Sequence, residues 1–240
     1  RDGLSPDEAR SRIWLIDREG LVTDDMKNLP DYQQVYARPA ADVADWERGS
    51  RGIGLLEVVR RVRPTILIGT STDHGAFTQD VIEALCMGAD RPIVLPLSNP
   101  TERIEAMPAD VIAWSGGRAL VAAGIPVEDV EYDGVTYTIG QGNNALLYPG
   151  LGLGAVVSGA REITDGMLLA AAEAVASQVD PLPRGAALLP PVRDLRASSA
   201  IVAEAVARCA ETEGVASRTH DDLARAIKDA MWEPVYGSWE

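Results

Sequence analysis

At 240 residues, 46% of them hydrophobic, the chain is long enough for one large domain or for a domain with an appendage. Its 36 acidic residues outnumber the 22 basic ones and leave a formal charge of -14. Such a field repels phosphate backbones and anionic lipid, which excludes nucleic acid and a membrane surface as partners.

Residues 12–17 (RIWLID) are a continuous apolar run closed by an acid and predict a strand. Residues 54–62 set Leu55, Val58, Val59 and Val62 on one side of a helix, which Pro64 closes. Residues 65–69 (TILIG) have the β-branched content of a strand buried on both faces. Residues 78–87 predict a helix with Thr78 as its N-cap. Residues 92–96 (PIVLP), 111–114 (VIAW) and 135–139 read as further strands. Buried strands alternating with helices are the pattern of parallel βαβ units.

After Asn144 the character changes. Gly, Ala, Leu and Val dominate to residue 160, and Thr164 then caps a helix running through Ser177. A Pro-rich joint at 180–191 leads to a long helix at 197–213, a last helix near 221–230 and an irregular end at 232–240. The expectation is an α/β fold. A Rossmann-like parallel sheet fills residues 1–160, and a helical extension, residues 161–240, packs on it. Cys86 and Cys209 stand in Ala-rich, helix-like surroundings and read as small buried hydrophobes of a reducing compartment. Polar residues follow Arg1, with no signal-peptide pattern. The longest apolar stretch, 145–160, contains Pro149 and is shorter than the ~20 residues of a membrane span. A cytoplasmic protein is expected.

Two asparagine-bearing loops carry the most chemistry: Leu97-Ser98-Asn99-Pro100-Thr101 and Gly140-Gln141-Gly142-Asn143-Asn144. Each follows an expected strand, and open α/β sheets bind ligands at the carboxyl ends of their strands. A carboxamide offers two donors and an acceptor without charge, which suits a dicarboxylate or the amide of a nicotinamide. Each loop alone also reads as a turn, where Asn is favoured. Asp17, at a strand end, has the place of the acid that accepts from the adenosine ribose hydroxyls in a dinucleotide fold; such an acid repels a 2′-phosphate and favours NAD over NADP. It also reads as a strand-end Asp capping a turn. The strand and Gly-rich turn that should precede it are not in this sequence.

Gly140 to Ala145 fits G-x-G-x-x-A and has Glu162 about 20 residues on, yet the sequence downstream is helical and no βαβ unit follows. Its glycines read better as places where backbone approaches a ligand or another strand closely. Asp73-His74 reads as a surface loop, since His220 is the only other histidine. Glu102 and Arg103 read as exposed charges at a helix start, although Arg103 could offer positive charge to an anion near Asn99. Tyr132, Tyr137 and Tyr148 show no base partner. Ser98 lacks a G-x-S-x-G elbow, which removes hydrolase chemistry.

These segments resemble the C-terminal, cofactor-binding part of malic enzymes, nearest the bacterial NAD-linked branch. The resemblance rests on residues 13–21, Gly69-Thr70-Ser71, Gly75-Ala76-Phe77-Thr78, residues 96–101, residues 139–144, Tyr148-Pro149-Gly150 and residues 163–167. It runs from about Gly3 to Tyr236, and LSNPT and GQGNN in this order and spacing are specific to the family. It implies that Asp17 holds the adenosine ribose and that Ser71 lies along the cofactor. It implies that Asn99 touches the nicotinamide ribose and the substrate, and that Asn143 with Asn144 binds the malate carboxylate and the cofactor amide. Gln33 stands where NADP-using relatives often carry Lys, which again favours NAD.

In the family, a Tyr and a Lys of an N-terminal domain move the protons, a Glu-Asp pair and a further Asp hold Mn²⁺ or Mg²⁺, and a G-x-G-x-x-G turn follows. None of these lies in this sequence, so no catalytic residue and no metal ligand is assigned here. The expected function is the NAD- and substrate-binding portion of a malic enzyme, converting malate to pyruvate and CO₂ and inactive by itself. The alternatives are malolactic enzyme, yielding lactate, and a non-catalytic nucleotide-binding or assembly module. The missing first strand should leave apolar strand edges open, so the expected partners are an N-terminal domain, a complementary chain or further copies of this one.

Overall fold

The computed structural model describes residues 3–233. Beyond Glu233, the expected irregular end lies outside the described residues. A capping box formed by Ser5 and Glu8 starts α1 (Pro6–Ser11). The expected strand at 12–17 narrows to β1 (Ile16–Asp17), which folds back on β2 (Gly20–Leu21) as an antiparallel hairpin. It does not join the parallel sheet; among the described residues β1 and β2 form a two-stranded sheet of their own. Gly20 takes a φ of +90°, and any Cβ there would meet the carbonyls of Arg51 and Ile53 at 2.7 Å. The short helix α2 (Asp31–Gln34) follows. This unit has its own small core of Leu21, Val43, Ile53 and Val58. Trp14 stacks on Trp46 beside it at 5.5 Å, and the Arg38 guanidinium lies 4.0 Å from the Trp14 ring.

Helix α3 (Leu55–Val62) packs on both β2 and the next helix, and ends at Arg63 in left-handed backbone ahead of Pro64. The sheet then builds as expected through β3 (Ile66–Gly69), α4 (Gln79–Gly88) and β4 (Ile93–Pro96). Thr78 is the N-cap of α4, as read, although its hydroxyl makes no capping bond. Residues 111–114 are not a strand. They are the second half of helix α5 (Pro108–Trp114), which Pro108 starts at its first position and the left-handed Gly116 and Gly117 end. A short apolar run does not reveal its own period, and here Val111 and Ile112 face the core from a helix. The third strand of the sheet is instead β5 (Leu120–Ala123), next to β4.

Residues 135–139 also differ from expectation. Val135–Tyr137 is β7, paired antiparallel with β6 (Val130–Tyr132) across a tight turn at Asp133-Gly134, where φ is +50° and +71°. Positive φ at both central residues is what such a two-residue turn needs, and Asp-Gly is its sequence sign. The last strand of the sheet is β8 (Gly140–Gln141), the start of the asparagine loop itself. The sheet is parallel throughout, in the order β3-β4-β5-β8. Its core joins Leu67, Val94 and Val121 to Ile82, Leu85, Val111 and Ile112 of the helices, with Phe77 and Tyr137 as the buried rings.

Among the described residues four α-helices follow: α6 (Tyr148–Ser158), α7 (Asp165–Ala176), α8 (Leu195–Thr212) and α9 (Leu223–Ala230). Thr164 caps α7 by accepting from Met167 N at 3.1 Å. Gly150 and Gly154, one turn apart on α6, let it lie directly against Val202, Ala203 and Val206 of α8. These helices share cores around Met167, Val202 and Val206, and around Ala203, Ala207 and Ile227. No described helix is long and apolar enough to cross a membrane.

Candidate functional site

The loops at the carboxyl ends of β3 and β4 meet on one residue, Glu105, which is 0% exposed. Its Oε1 accepts from Ser71 N at 2.7 Å, Ser71 Oγ at 2.8 Å and Ser98 Oγ at 2.5 Å, while Oε2 accepts from Ser98 N at 3.3 Å. Each hydroxyl that donates to Glu105 in turn accepts a backbone N–H. Ser71 Oγ takes Asp73 N at 3.1 Å and Ser98 Oγ takes Thr72 N at 2.9 Å. Burial pushes the Glu105 carboxyl up, and the hydrogen bonds from Ser98 and Ser71 outweigh it and hold the group below its ordinary value. A buried anion thereby pins two site loops. Thr72, between them, stands at a φ of +56°, a region costly for a β-branched residue, and its bond to Ser98 helps keep it there.

The next two strand ends meet through glycine. A Cβ on Gly124, just after β5, would overlap the Leu97 carbonyl oxygen. One on Gly142, just after β8, would meet Leu97 Cδ2 at 2.7 Å. Gly142 N donates to Ala123 O at 2.7 Å and Gln141 Nε2 to Gly124 O at 3.3 Å. The Asn99 and Asn143 loops therefore share Leu97 and Gly124 as a common floor. Asn99 is exposed above it, with Nδ2 3.4 Å from Leu97 O. Asn143 is exposed and caps the turn at residues 144–146, its Oδ1 accepting from Ala145 N at 2.9 Å. Asn144 is exposed in the same loop. The turn reading of Asn143 is thus observed, and the cap uses only one end of the amide.

Ser71 is exposed at the end of the β3 loop, with its hydroxyl proton committed to Glu105. Asp17 stands apart on the β1–β2 hairpin, tied to the sheet through α3. Its carboxylate accepts from Gln33 Nε2 and from Arg18 N, each at 2.7 Å. The Gln33 bond first, and then the Arg18 N–H, hold it below the ordinary carboxylate value. The two residues that favour NAD in the sequence are thus a bonded pair, and each oxygen of Asp17 keeps a lone pair for a ribose hydroxyl.

Other candidates fall away. His74 is exposed, and His220 Nε2 lies 2.9 Å from Val157 O, far along the chain. Glu102 and Arg103 are exposed on the single turn Thr101–Arg103. Tyr137 is buried and donates to Gly117 O at 3.1 Å. The G-x-G-x-x-A segment is strand β8 and the turn after it, not a strand-to-helix phosphate loop. Among the described residues no three His, Cys, Asp or Glu side chains converge as a metal site. Glu105 was missed by sequence reasoning. The only sign of it was an acid set between Ile104 and Ala106, seven residues after Ser98.

Comparison with known proteins places the chain in a family. A family model described as malic enzyme, NAD binding domain, matches residues 1–211. NAD-dependent malic enzyme 3 of Bacillus subtilis (strain 168) is 53% identical over 238 residues, which are 98% of this chain and 42% of that protein. Malolactic enzyme of Lactococcus lactis subsp. lactis (strain IL1403) is 45% identical over 235 residues, 98% of this chain and 43% of that protein. The malic enzyme from Pyrococcus horikoshii Ot3 superposes with a TM-score of 0.63 at 28% identity, over 88% of this chain and 43% of its own. The chain thus spans less than half the length of the relatives it matches.

Proposed function

Because the chain belongs to the malic enzyme family through its NAD-binding domain, we propose that it is the NAD- and substrate-binding portion of an NAD-dependent enzyme that decarboxylates malate oxidatively to pyruvate and CO₂. The observation that carries this reading is the shared floor of Leu97 and Gly124 under Asn99, Asn143 and Asn144. Neutral donors gathered at the carboxyl ends of parallel strands suit a dicarboxylate beside a nicotinamide, and they do so without a charge that would fix the substrate too tightly. Asp17 holds the adenosine ribose, with Gln33 orienting its carboxylate. Ser71 and Thr72 form the wall along the cofactor, set by Glu105.

When bound, NAD supplies the hydride acceptor. The residues of this chain would hold malate beside that acceptor, with Asn99 placed to touch both ligands. Proton transfer at the C2 hydroxyl and at the product enolate, and an ion that polarises the 2-keto oxygen, are assigned to groups outside the described residues. The ligands of Mn²⁺ or Mg²⁺ are assigned to the remainder of the working enzyme. That enzyme includes an N-terminal domain or a complementary chain, and it is a homo-oligomer in the cytoplasm.

The test is a malate-dependent NADH assay with Mn²⁺ on this chain alone and on the chain joined to the remainder of the protein. Turnover is expected only with the remainder present, and turnover by this chain alone would overturn the assignment. The 45% identity to a malolactic enzyme favours a second reading, in which the same loops hold pyruvate and NADH until lactate forms. Product analysis separates the two: pyruvate with one NADH per CO₂, or lactate with no net NADH.

A further inference from the structure

The opposite end of the sheet holds a second feature that the malate and NAD loops do not use. Arg91, Arg118 and Ile139 precede β4, β5 and β8, so they stand at the amino ends of strands whose carboxyl ends carry the asparagine loops. A cleft of about 460 Å³ opens there, within the size range of small-molecule sites. Three guanidinium groups line it, those of Arg91, Arg118 and Arg184, and no Asp or Glu does. This is on a chain where acids outnumber bases by 36 to 22.

The three side chains are held in place, largely without being neutralised. Arg91 donates to Leu182 O at 3.0 Å and to Pro181 O at 2.7 Å. Arg118 donates to Ser115 O at 3.1 Å and to Cys86 O at 3.2 Å. Arg184 donates to Tyr137 Oη at 2.9 Å and meets the Asp133 carboxylate at 3.4 Å. The partners of Arg91 and Arg118 are neutral carbonyls, and among the described residues neither forms an ion pair. Arg91 Nε, Arg118 Nη2 and Arg184 Nη1 make no hydrogen bond among the described residues. Carbonyl groups thus fix the orientation of the Arg91 and Arg118 charges, which have no ion-pair partner among the described residues, and this lowers the ordering cost of binding an anion. Ile112, Leu120, Val121 and Leu182 add apolar wall.

We propose that this cleft binds a small organic anion bearing a phosphate or carboxylate group, at a site separate from the NAD and malate loops. The guanidinium fork matches both oxyanions in two-point geometry, and the apolar wall takes the body of the ligand. The site goes beyond the proposed function and does not depend on it.

The experiment is calorimetric titration of pyrophosphate and, separately, of citrate into the full-length protein at low ionic strength, with NAD saturating so that the cofactor site is filled. At least one probe is expected to saturate a single site. Arg184→Gln, which alters an exposed side chain, is expected to weaken that binding about tenfold, and Arg118→Gln to weaken it similarly. The NAD affinity of both variants should stay at the wild-type value. Preference for pyrophosphate would assign the phosphoryl chemistry and preference for citrate the carboxylate. Failure of both probes to saturate would overturn the proposal, as would binding that Arg184→Gln leaves unchanged in a protein whose circular dichroism is native. Should Arg118→Gln fail to fold, Arg184→Gln decides alone.

Discussion

Glu105 is the residue on which the loops after β3 and β4 depend, and its ionisation is testable. Its folded carboxyl loses its proton at a lower pH than in the unfolded chain. Its contribution to stability is therefore present above the ordinary carboxylate range and is lost as pH falls through the folded value. Glu105→Gln puts an amide donor where hydroxyls and N–H groups already donate, and is expected to cost about 1–3 kcal/mol at neutral pH. The gap between variant and wild type, measured by urea unfolding, should close in acid; a gap constant with pH would mean that the charge is not what matters. Asp17 makes a different kind of prediction because it is exposed. Asp17→Asn keeps the shape and the Gln33 contact but removes the charge. NAD should bind about tenfold more weakly, and the preference for NAD over NADP should narrow, as parallel titrations of the two cofactors would record. Equal loss for both cofactors would place Asp17 outside the ribose site.

At the scale of elements, glycines separate positions where backbone must touch from positions where it need not. Gly124 lies against the Leu97 carbonyl, between the ends of β4 and β5, and neither backbone can give way without parting the Asn99 and Asn143 loops. Gly124→Ala is expected to cost about 2–3 kcal/mol in thermal unfolding and to weaken substrate binding as well. Gly152, exposed on α6 with nothing within 4 Å of a Cβ, should do the reverse: Gly152→Ala should stabilise by about 0.5–1 kcal/mol. If both variants lost stability alike, the contact with Leu97 would not be the cause. The same scale shows what the sequence could tell. TILIG and PIVLP were legible as strands because β-branched and apolar residues run unbroken between Pro or Gly. VIAW has the same composition and is helical, since Pro108 starts a helix three residues before it and the paired glycines Gly116 and Gly117 end it. LVAA, rich in Ala, lacks the β-branched signal and is a strand because β4 lies beside it. Asp133-Gly134 carried a hairpin sign in plain view. The asparagine loops were legible as a pair, whereas Glu105 was not, because its partners lie seven and 34 residues away.

For the whole molecule, the face of the sheet at β3 is the feature that calls for something more. Leu67 and Gly69 point into the core, while Ile66 and Ile68, alternating with them, are 48% and 59% exposed. Ile93 and Leu95 on β4 are only partly buried beside them, and among the described residues β3 has no outer neighbour. Parallel sheets are ordinarily covered on both faces, and an open apolar edge recruits strands. The sequence pointed to such an opening through the strand that should precede residues 12–17; it did not say that the hairpin of β1 and β2 would fold away from the gap. In the working enzyme the remainder of the protein is expected to cover this face, and the chain by itself should meet the same need with copies of itself. Sedimentation velocity of this chain should therefore depend on concentration. Ile66→Lys with Ile68→Lys, two changes that leave the buried side of β3 intact, should return it to a monomer. A wild-type chain that sediments as a monomer at every concentration would show that the exposed face is tolerated, and that the partner is not needed to hold this part of the fold.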